Sequence, residues 1–379
     1  MSIAIKTLLC VEPSVTTLQT QLAELIAAGA QSLMVLACED NGLTTADWNL
    51  WLRALELPVF GGVFPQIIYG DQLLSTGVLL VGLRIPIEIH CIALPANPKT
   101  DWHQQLHDCG FDSTQNPTVM VMVDGLSSNI ENLLEALYSN LDSGSDSRAV
   151  GAGAGSLSFT STPCLFSAAG IITDSAMLML LPAVCYLGVA HGWEIFAGPF
   201  LVTQAQGNQV QSLNYKPAFG VYREAVEHNC DARFDNQAFS EISQNYPLGI
   251  INADGDLLVR DPITLDGNAL VCVGEVPPNA MVYLLSGEPE NLIAASAKAA
   301  RTALSARPVT DNAPTAFLFD CISRRTFLKD QYPQQLAAVL GQFDHPDTLL
   351  VGALSLGEIA STGCGPIELL NKSTVIVVF

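Results

Sequence analysis

The chain has 379 residues, 49% of them apolar and only 14% charged, so it can form two or three domains whose strands are buried on both faces. Its formal net charge of −21 argues against a nucleic-acid partner, because phosphate recognition needs clustered lysine and arginine. The longest apolar stretch, 176–190, is shorter than the ~20 residues of a membrane helix and is interrupted by Pro182, which predicts that the protein does not enter a membrane.

Cysteine usage indicates the redox compartment. The ten cysteines show no C-x-x-C pair and no regular spacing, and several, such as Cys38 and Cys272, lie inside apolar runs where a free thiol packs as a small hydrophobe. This pattern favours a reduced compartment over a disulfide framework. We therefore expect a cytoplasmic protein.

In chain order, a helix over 14–28 precedes a pattern that occurs three times: an apolar strand, a helix, a second strand running into glycines, and a hairpin back to a third strand. The three copies span 33–82, 119–181 and 316–379. A strand, a helix and a parallel strand in this order predict a right-handed crossover. The glycines stand where the backbone can pack closely or approach a ligand.

A different region separates the second and third copies. It contains short strands, a helix over 218–226 and a long helix over 288–304. We place a domain boundary near residue 205, giving domains 1–205 and 206–379. The predicted fold class is α/β, with the repeated units forming two covered mixed sheets in two domains.

Several motifs resemble those of FIST domains in the order in which that family has them. The N-terminal part is similar at VGAGAGS (150–156), Gly192-Trp193, Gly198-Pro199 and VTQAQGN (202–208), and the C-terminal part at YPLGI (246–250), FDCISR (319–324), VGALSLGEI (351–359) and NKSTV (371–375). The resemblance implies a bacterial sensory protein that binds a small ligand, an amino acid or a derivative. The chain shows no kinase, cyclase or receiver motif, so the partner would be a separate signalling protein such as a histidine kinase or a cyclase.

Polar residues at strand ends are the first candidates for ligand contacts. Arg324 lies in one of the few basic clusters, and a guanidinium suits a carboxylate. Glu358 and Asn371 could bind the amino group of a zwitterion, although Glu358 could instead be a turn carboxylate. Arg260 is a second basic candidate, or one half of a surface pair with Asp261.

Glycines and a cysteine complete the candidate ligand site. Gly153 and Gly155 could let the backbone approach a ligand, but they do not form a phosphate loop, and a close approach between strands is an alternative. Cys321 precedes two arginines that could lower the pKa of its thiol. It could be a catalytic nucleophile or a cysteine at the end of a strand.

The resemblance also allows a haem-based sensor of nitric oxide, because some members of the family are haem proteins. One axial histidine in an apolar pocket would suffice. His90, between Ile89 and Cys91, and His191, before Gly192-Trp193, are the candidate axial ligands. We thus carry three hypotheses: a non-enzymatic small-ligand sensor without a named cofactor, a haem-based gas sensor, and a cysteine-dependent enzyme.

Overall fold

Three segments of the chain fold with the same order of elements in the computed structural model, which describes residues 3–97, 99–112, 117–141, 148–252, 255–308, 313–361 and 365–379. Each segment consists of a strand, a helix, a strand, a helical connection, a strand, a hairpin and a last strand. We call them units 1, 2 and 3. The predicted copies are the later part of each unit, and each unit also has a leading strand and helix.

Unit 1 comprises β1 (Ala4–Cys10), α1 (Val15–Ala27), β2 (Ser32–Cys38), α2 (Thr45–Leu52), β3 (Val59–Phe64), β4 (Gln66–Tyr69), β5 (Gln72–Leu74) and β6 (Val78–Leu83). Unit 2 comprises β7 (Glu88–Ala93), α3 (Trp102–Asp108), β8 (Thr118–Asp124), α4 (Ile130–Asn140), β9 (Arg148–Ala154), β10 (Leu165–Ser167), β11 (Gly170–Ile172) and β12 (Ser175–Leu181).

Unit 3 begins with β13 (Tyr186–Ala190) and is then interrupted by a segment that we call the insert. The insert comprises β14 (Glu194–Gln206), β15 (Gln209–Leu213), β16 (Lys216–Pro217), α5 (Ala218–Asn229), α6 (Phe239–Ser243), β17 (Leu248–Ile251), β18 (Leu257–Asp266), β19 (Ala269–Val273) and β20 (Met281–Ser286). Unit 3 resumes with α7 (Pro289–Ala306), β21 (Thr315–Cys321), α8 (Ile322–Leu328), a 3-10 turn (Lys329–Gln331), α9 (Tyr332–Leu340), β22 (Leu349–Ser355), β23 (Glu358–Ser361), β24 (Ile367–Leu370) and β25 (Thr374–Val378).

The units exchange their hairpins in a closed cycle. The sheet orders are β1-β6-β2-β3-β10-β11, β24-β23-β9-β8-β12-β7 and β13-β25-β21-β22-β4-β5. Unit 1 therefore gives its hairpin to the sheet of unit 3, unit 3 gives its hairpin to unit 2, and unit 2 gives its hairpin to unit 1. In each sheet the two strands that flank the helical connection are parallel, whereas the last strand is antiparallel.

The three sheets enclose a common core. Met34 of β2, Met120 of β8 and Phe317 of β21 belong to one buried cluster, while their chain neighbours, such as Leu33 and Val119, pack under the outer helices. Because successive side chains of a strand point to opposite faces, strands buried on both faces need continuous apolar runs. The high apolar content of the chain follows from this arrangement.

Local signals set the bounds of several helices. Ser14 with Thr17 and Thr44 with Asp47 form capping boxes at α1 and α2, and Pro289 occupies the first turn of α7, where its missing amide hydrogen is tolerated. Three leucines of α4 are buried. Helices α1 and α7 agree with the sequence-based expectation to within a few residues.

The predicted α/β class with covered mixed sheets is confirmed, but the expected number of sheets is wrong. The described residues form four sheets. The insert forms an antiparallel sheet of its own, β14-β20-β17-β18-β19-β15-β16, and the units form three sheets instead of two. Residue 205 lies inside β14, and the division into 1–205 and 206–379 stays a prediction. In the part of the chain that the structure describes, no helix is both long and apolar enough to span a bilayer.

Candidate functional site

A cavity of about 390 Å³ lies where units 2 and 3 meet the insert. Unit 2 lines it with residues 125–131 and Phe159, and unit 3 with Cys321 to Ser323, the turn at Leu356 and Gly357, and Asn371. The insert contributes Asp261 and the end of β19 through Glu275. This volume is within the range of small-molecule pockets in proteins.

Asp261 and Asn371 are buried polar residues with capacity for further hydrogen bonds. Asp261 is 5% exposed and Asn371 is 2% exposed. Among the residues that the structure describes, Oδ1 of Asp261 and Nδ2 of Asn371 have no hydrogen-bond partner. A buried polar atom without a partner costs about 1–3 kcal/mol. Each of these two cavity-lining residues therefore keeps one polar atom that no described protein group pairs with.

Lys372 holds the other oxygen of Asp261. Its Nζ lies 3.1 Å from Oδ2 of Asp261, donates to the backbone carbonyl of Gln244 at 3.0 Å, and is 5.1 Å from the ring centroid of Trp193. The same Oδ2 accepts a hydrogen bond from Ser323 Oγ at 2.9 Å. Lys372 thus ties unit 3 to the insert beside the cavity.

The first turn of α4 borders the cavity and is not capped by its own side chain. Asn129 adopts a left-handed conformation and makes no capping hydrogen bond, and its Nδ2 donates instead to the carbonyl of Pro95. Unpaired amides and the positive end of the helix dipole favour an anion at such a terminus. This edge of the cavity suits a carboxylate.

Of the predicted site residues, the structure brings Asn371 and Cys321 together at the cavity, but not Arg324. The Arg324 guanidinium is completely buried behind it. It donates to the carbonyls of His191, Lys372 and Leu292, to Ser296 Oγ and to Gln335 Oε1. Its Nε lies 3.1 Å from Oδ1 of Asp320, outside hydrogen-bond geometry. Protein groups thus occupy the positions that a ligand carboxylate would need.

Glu358 is also fully buried and does not line the cavity. Ser355 Oγ lies within hydrogen-bond distance of both Glu358 Oε1, at 2.6 Å, and the carbonyl of Asp320, at 3.2 Å. One hydroxyl hydrogen cannot serve both acceptors. Burial, followed by the charge of Asp320, raises the pKa of Glu358 well above its ordinary value, so we assign the second hydrogen to the carboxyl group.

Replacing Glu358 by glutamine should remove a pH dependence of stability. A carboxyl group with a raised pKa keeps its proton in the folded state at a pH where the unfolded chain has lost it. Its stabilising contribution is therefore complete below the ordinary pKa of 4.5 and is lost as the pH rises toward the folded value. We expect the free energy of unfolding of Glu358→Gln, measured in urea, to rise relative to that of the wild type as the pH increases from about pH 5 to pH 8. A constant difference across this range would contradict the assignment.

Arg260 lies behind the wall of the cavity, not on it. Its Nε donates to the carbonyl of Glu275 at 2.8 Å, and its Nη1 donates to the carbonyls of Val259 and Leu369. Burial lowers the pKa of this arginine, and the nearby Glu131 opposes the shift. The alternative of a surface pair is wrong, because both Arg260 and Asp261 are buried.

Gly153 and Gly155 serve the packing of the chain. A Cβ atom on Gly153 would lie 2.8 Å from the carbonyl oxygen of Leu356, and one on Gly155 would lie 2.5 Å from Leu356 Cδ1. Gly153 also exchanges backbone hydrogen bonds with the turn at Leu356 and Gly357. The two glycines hold this turn in place, and the same turn lines the cavity.

Cys321 lines the cavity, but its environment is unlike that of a reactive thiol. Burial raises the pKa of the thiol, and the carboxyl of Glu358 raises it further, so the expected lowering by neighbouring arginines is wrong. We expect iodoacetamide at pH 7.5 to label the exposed Cys91 before Cys321, as measured by peptide mass spectrometry of the folded protein. Faster labelling of Cys321 would revive the thiol-enzyme hypothesis.

The described residues do not fit a haem. Neither His90 nor His191 lines the cavity. Nδ1 of His90 lies 2.9 Å from the carbonyl of Cys109, and its Nε2 lies 3.1 Å from a carboxylate oxygen of Glu88. Nδ1 of His191 accepts a hydrogen bond from the backbone of Trp193, and burial, together with the charge of Arg324, lowers its pKa to about 4. Nδ1 of each ring is thus held by a protein group, and neither ring lines the cavity.

Sequence reasoning missed four charged residues at or beside the cavity: Glu131, Asp261, Glu275 and Lys372. Only Lys372 carried a usable signal, because it lies two residues before the apolar strand β25 and a buried lysine needs a partner. The other three belong to polar stretches whose contacts form only in the folded chain.

These features define a mixed α/β protein with a cavity between two of its repeated units and an inserted sheet. The family model of the FIST N domain matches residues 45–216, and that of the FIST C domain matches residues 218–361. The chain therefore belongs to the FIST family, whose domains are associated with sensory signalling and small-ligand binding. The predicted membership is confirmed. A search of curated proteins finds no match.

Proposed function

We propose that the protein is a sensor that binds an amino acid or a derivative in the cavity between units 2 and 3 and the insert. One observation carries the proposal: the unused acceptor of Asp261 and the unused donor of Asn371 belong to two buried residues that line the same cavity. Buried polar groups are nearly always paired, so such atoms indicate that a partner is supplied from outside the chain.

The arrangement complements a zwitterion. A ligand ammonium group would donate to Oδ1 of Asp261, and a ligand carboxylate would accept from Nδ2 of Asn371 and from the first-turn amides of α4. Asp261 and Asn371 are adjacent, since the Asp261 amide donates to Asn371 Oδ1 at 3.5 Å. The ligand would therefore contact the insert, unit 3 and unit 2 at once.

The same contacts give a route for a signal. A ligand ammonium group at Asp261 competes with Lys372, which ties unit 3 to the insert. Occupation of the cavity would then shift the equilibrium between two arrangements of unit 3 and the insert. The size of the shift depends on how much more tightly the ligand binds one arrangement than the other. A separate protein, such as a histidine kinase or a cyclase, would read the change.

Asn371→Leu tests the site, because it separates binding from stability. Leucine has a similar size, and the amide nitrogen that it removes has no partner among the described residues. It also removes the acceptor of the Asp261 amide, a long contact of 3.5 Å, so we expect a loss of stability no larger than about 1–3 kcal/mol. Ligand binding should fall at least ~10-fold, the value of one lost charge-assisted hydrogen bond. The measurement is a thermal-shift screen of the proteinogenic amino acids, followed by calorimetric titration of each hit.

Asn140→Leu is the matched control, because Asn140 is exposed at the far end of α4. It should leave every affinity unchanged. Equal affinities in wild type and Asn371→Leu would place the ligand elsewhere, and strong destabilisation by Asn371→Leu would give Asn371 a structural role instead.

A further inference from the structure

Every charged side chain that lines the cavity is acidic in the part of the chain that the structure describes. Asp261 is buried at the inner end, whereas Glu131 is half-buried and Glu275 is exposed at the mouth. The two glutamates are close, because the amide of Glu275 donates to Oε1 of Glu131 at 2.9 Å. The cavity thus has an acidic group at each end.

The nearest cation offsets only part of the negative charge at the mouth. Arg260 donates its hydrogen bonds to the backbone carbonyls of Glu275, Val259 and Leu369, and its charge acts on the carboxylates of Glu131, Glu275 and Glu368. Burial and the neighbouring Glu131 raise the pKa of Glu275, whereas Arg260 opposes the shift. One guanidinium faces three carboxylates, so a negative excess remains. A positive group placed here would relieve the repulsion.

Large apolar side chains line much of the cavity, beside serine and asparagine residues. They include Leu126, Ile130, Phe159, Ile263 and Leu356. An aliphatic chain packs favourably against these side chains, whereas a second carboxylate next to Glu131 and Glu275 would be repelled by these two glutamates.

We propose that the ligand carries two cationic nitrogens joined by an aliphatic chain, with one nitrogen at Asp261 and the other at Glu131 and Glu275. This inference rests on the proposed function, because it uses the same cavity and the same inner contact. Its second support is the burial of Asp261, which keeps one oxygen without a partner among the described residues. The ligand class is therefore a basic amino acid or a diamine, not a neutral or acidic amino acid.

Three probes of equal chain length test the inference by calorimetric titration of the full chain. Lysine has both ammonium groups and a carboxylate, norleucine lacks only the distal ammonium group, and 1,5-diaminopentane lacks only the carboxylate. We expect lysine to bind at least ~10-fold more tightly than norleucine, the value of one charge-assisted contact. The double variant Glu131→Gln/Glu275→Gln should abolish this preference.

The control is Glu12→Gln/Glu56→Gln, which removes the same charge from exposed positions of unit 1 and should keep the preference for lysine. Equal binding of lysine and norleucine would overturn the inference while the proposed function stands. Binding of 1,5-diaminopentane as tight as that of lysine would support the inference and change the ligand from an amino acid to a diamine. If neither these probes nor any other amino acid binds, both proposals fail.

Discussion

Replacing Arg324 by methionine is expected to destabilise the protein by about 3–5 kcal/mol, the cost of removing one partner from a buried ion pair. Methionine fills much of the same volume. Among the described residues, however, Asp320 would lose its only ion-pair partner, because Arg324 Nε lies 3.1 Å from Asp320 Oδ1. Five acceptors, contributed by α7, α9 and the backbone next to β13 and β25, would each lose the hydrogen bond from Arg324. The measurement is the free energy of unfolding in urea.

Arg325→Met is the matched control, because the same change is made at the next residue, whose side chain is half exposed and donates only to the carbonyl of Lys329. It should change stability little. The double variant Arg324→Met/Asp320→Asn should be less destabilised than the sum of the single changes, since no uncompensated charge remains. If Arg324→Met proved as stable as Arg325→Met, the arginine would be free to serve a ligand.

Arg324 shows that the sequence does not reveal whether a side chain is free to bind a ligand. The sequence places an arginine directly after a buried strand, and a ligand contact and a buried tie between elements look the same at that level. Its acceptors, such as Ser296 and Gln335, come from helices far apart in the chain. Whether a guanidinium is free depends on these tertiary contacts, which no local pattern encodes.

Local and periodic features, in contrast, could be predicted. Strand β8 and helix α4 follow from an apolar run and a stripe of leucines, and the repeated order of elements follows from three copies of one pattern. The exchange of hairpins could not be predicted, because β10 pairs with β3 and β23 pairs with β9 across units. The segment from Glu358 to Ser361 looks like a loop in the sequence, and it becomes a strand only through this pairing.

The cavity depends on the same exchange. The hairpin of unit 3 crosses to β9 of unit 2 and carries the turn at Gly357 and the approach to Asn371 with it. The insert then closes the space with Asp261. Among the candidates from the sequence, Asn371 and Cys321 are therefore the ones that line the cavity, and Asp261, which offers the unused acceptor, had no local signal.

Replacing Gly151 by alanine is expected to cost more than the ~1–3 kcal/mol of an ordinary overpacked core site. A Cβ atom there would lie 1.6 Å from the carbonyl oxygen of Val121, its partner on the parallel strand β8. Backbone cannot move aside as a flexible side chain does, so β8 and β9 would have to separate. We expect Gly151→Ala to lower the soluble yield and, in the protein recovered, the midpoint of urea unfolding.

Gly220→Ala provides the control for this change. Gly220 is exposed in α5, and no atom lies within 4 Å of the position that a Cβ would take. Alanine should therefore stabilise the protein by about 0.5–1 kcal/mol. An unfolding midpoint of Gly151→Ala equal to that of the wild type would show that the two strands are farther apart than the structure has them.

Units 1 and 3 contain an equivalent glycine, so the prediction extends to them. A Cβ on Gly61 would lie 1.9 Å from the carbonyl oxygen of Val35, and one on Gly352 would lie 1.9 Å from that of Leu318. In both units the glycine is in register with the residue whose carbonyl oxygen the added Cβ would overlap. Alanine at either position should therefore be as damaging as at Gly151, because the repeated glycines set the strand separation on which the three sheets and their common core depend.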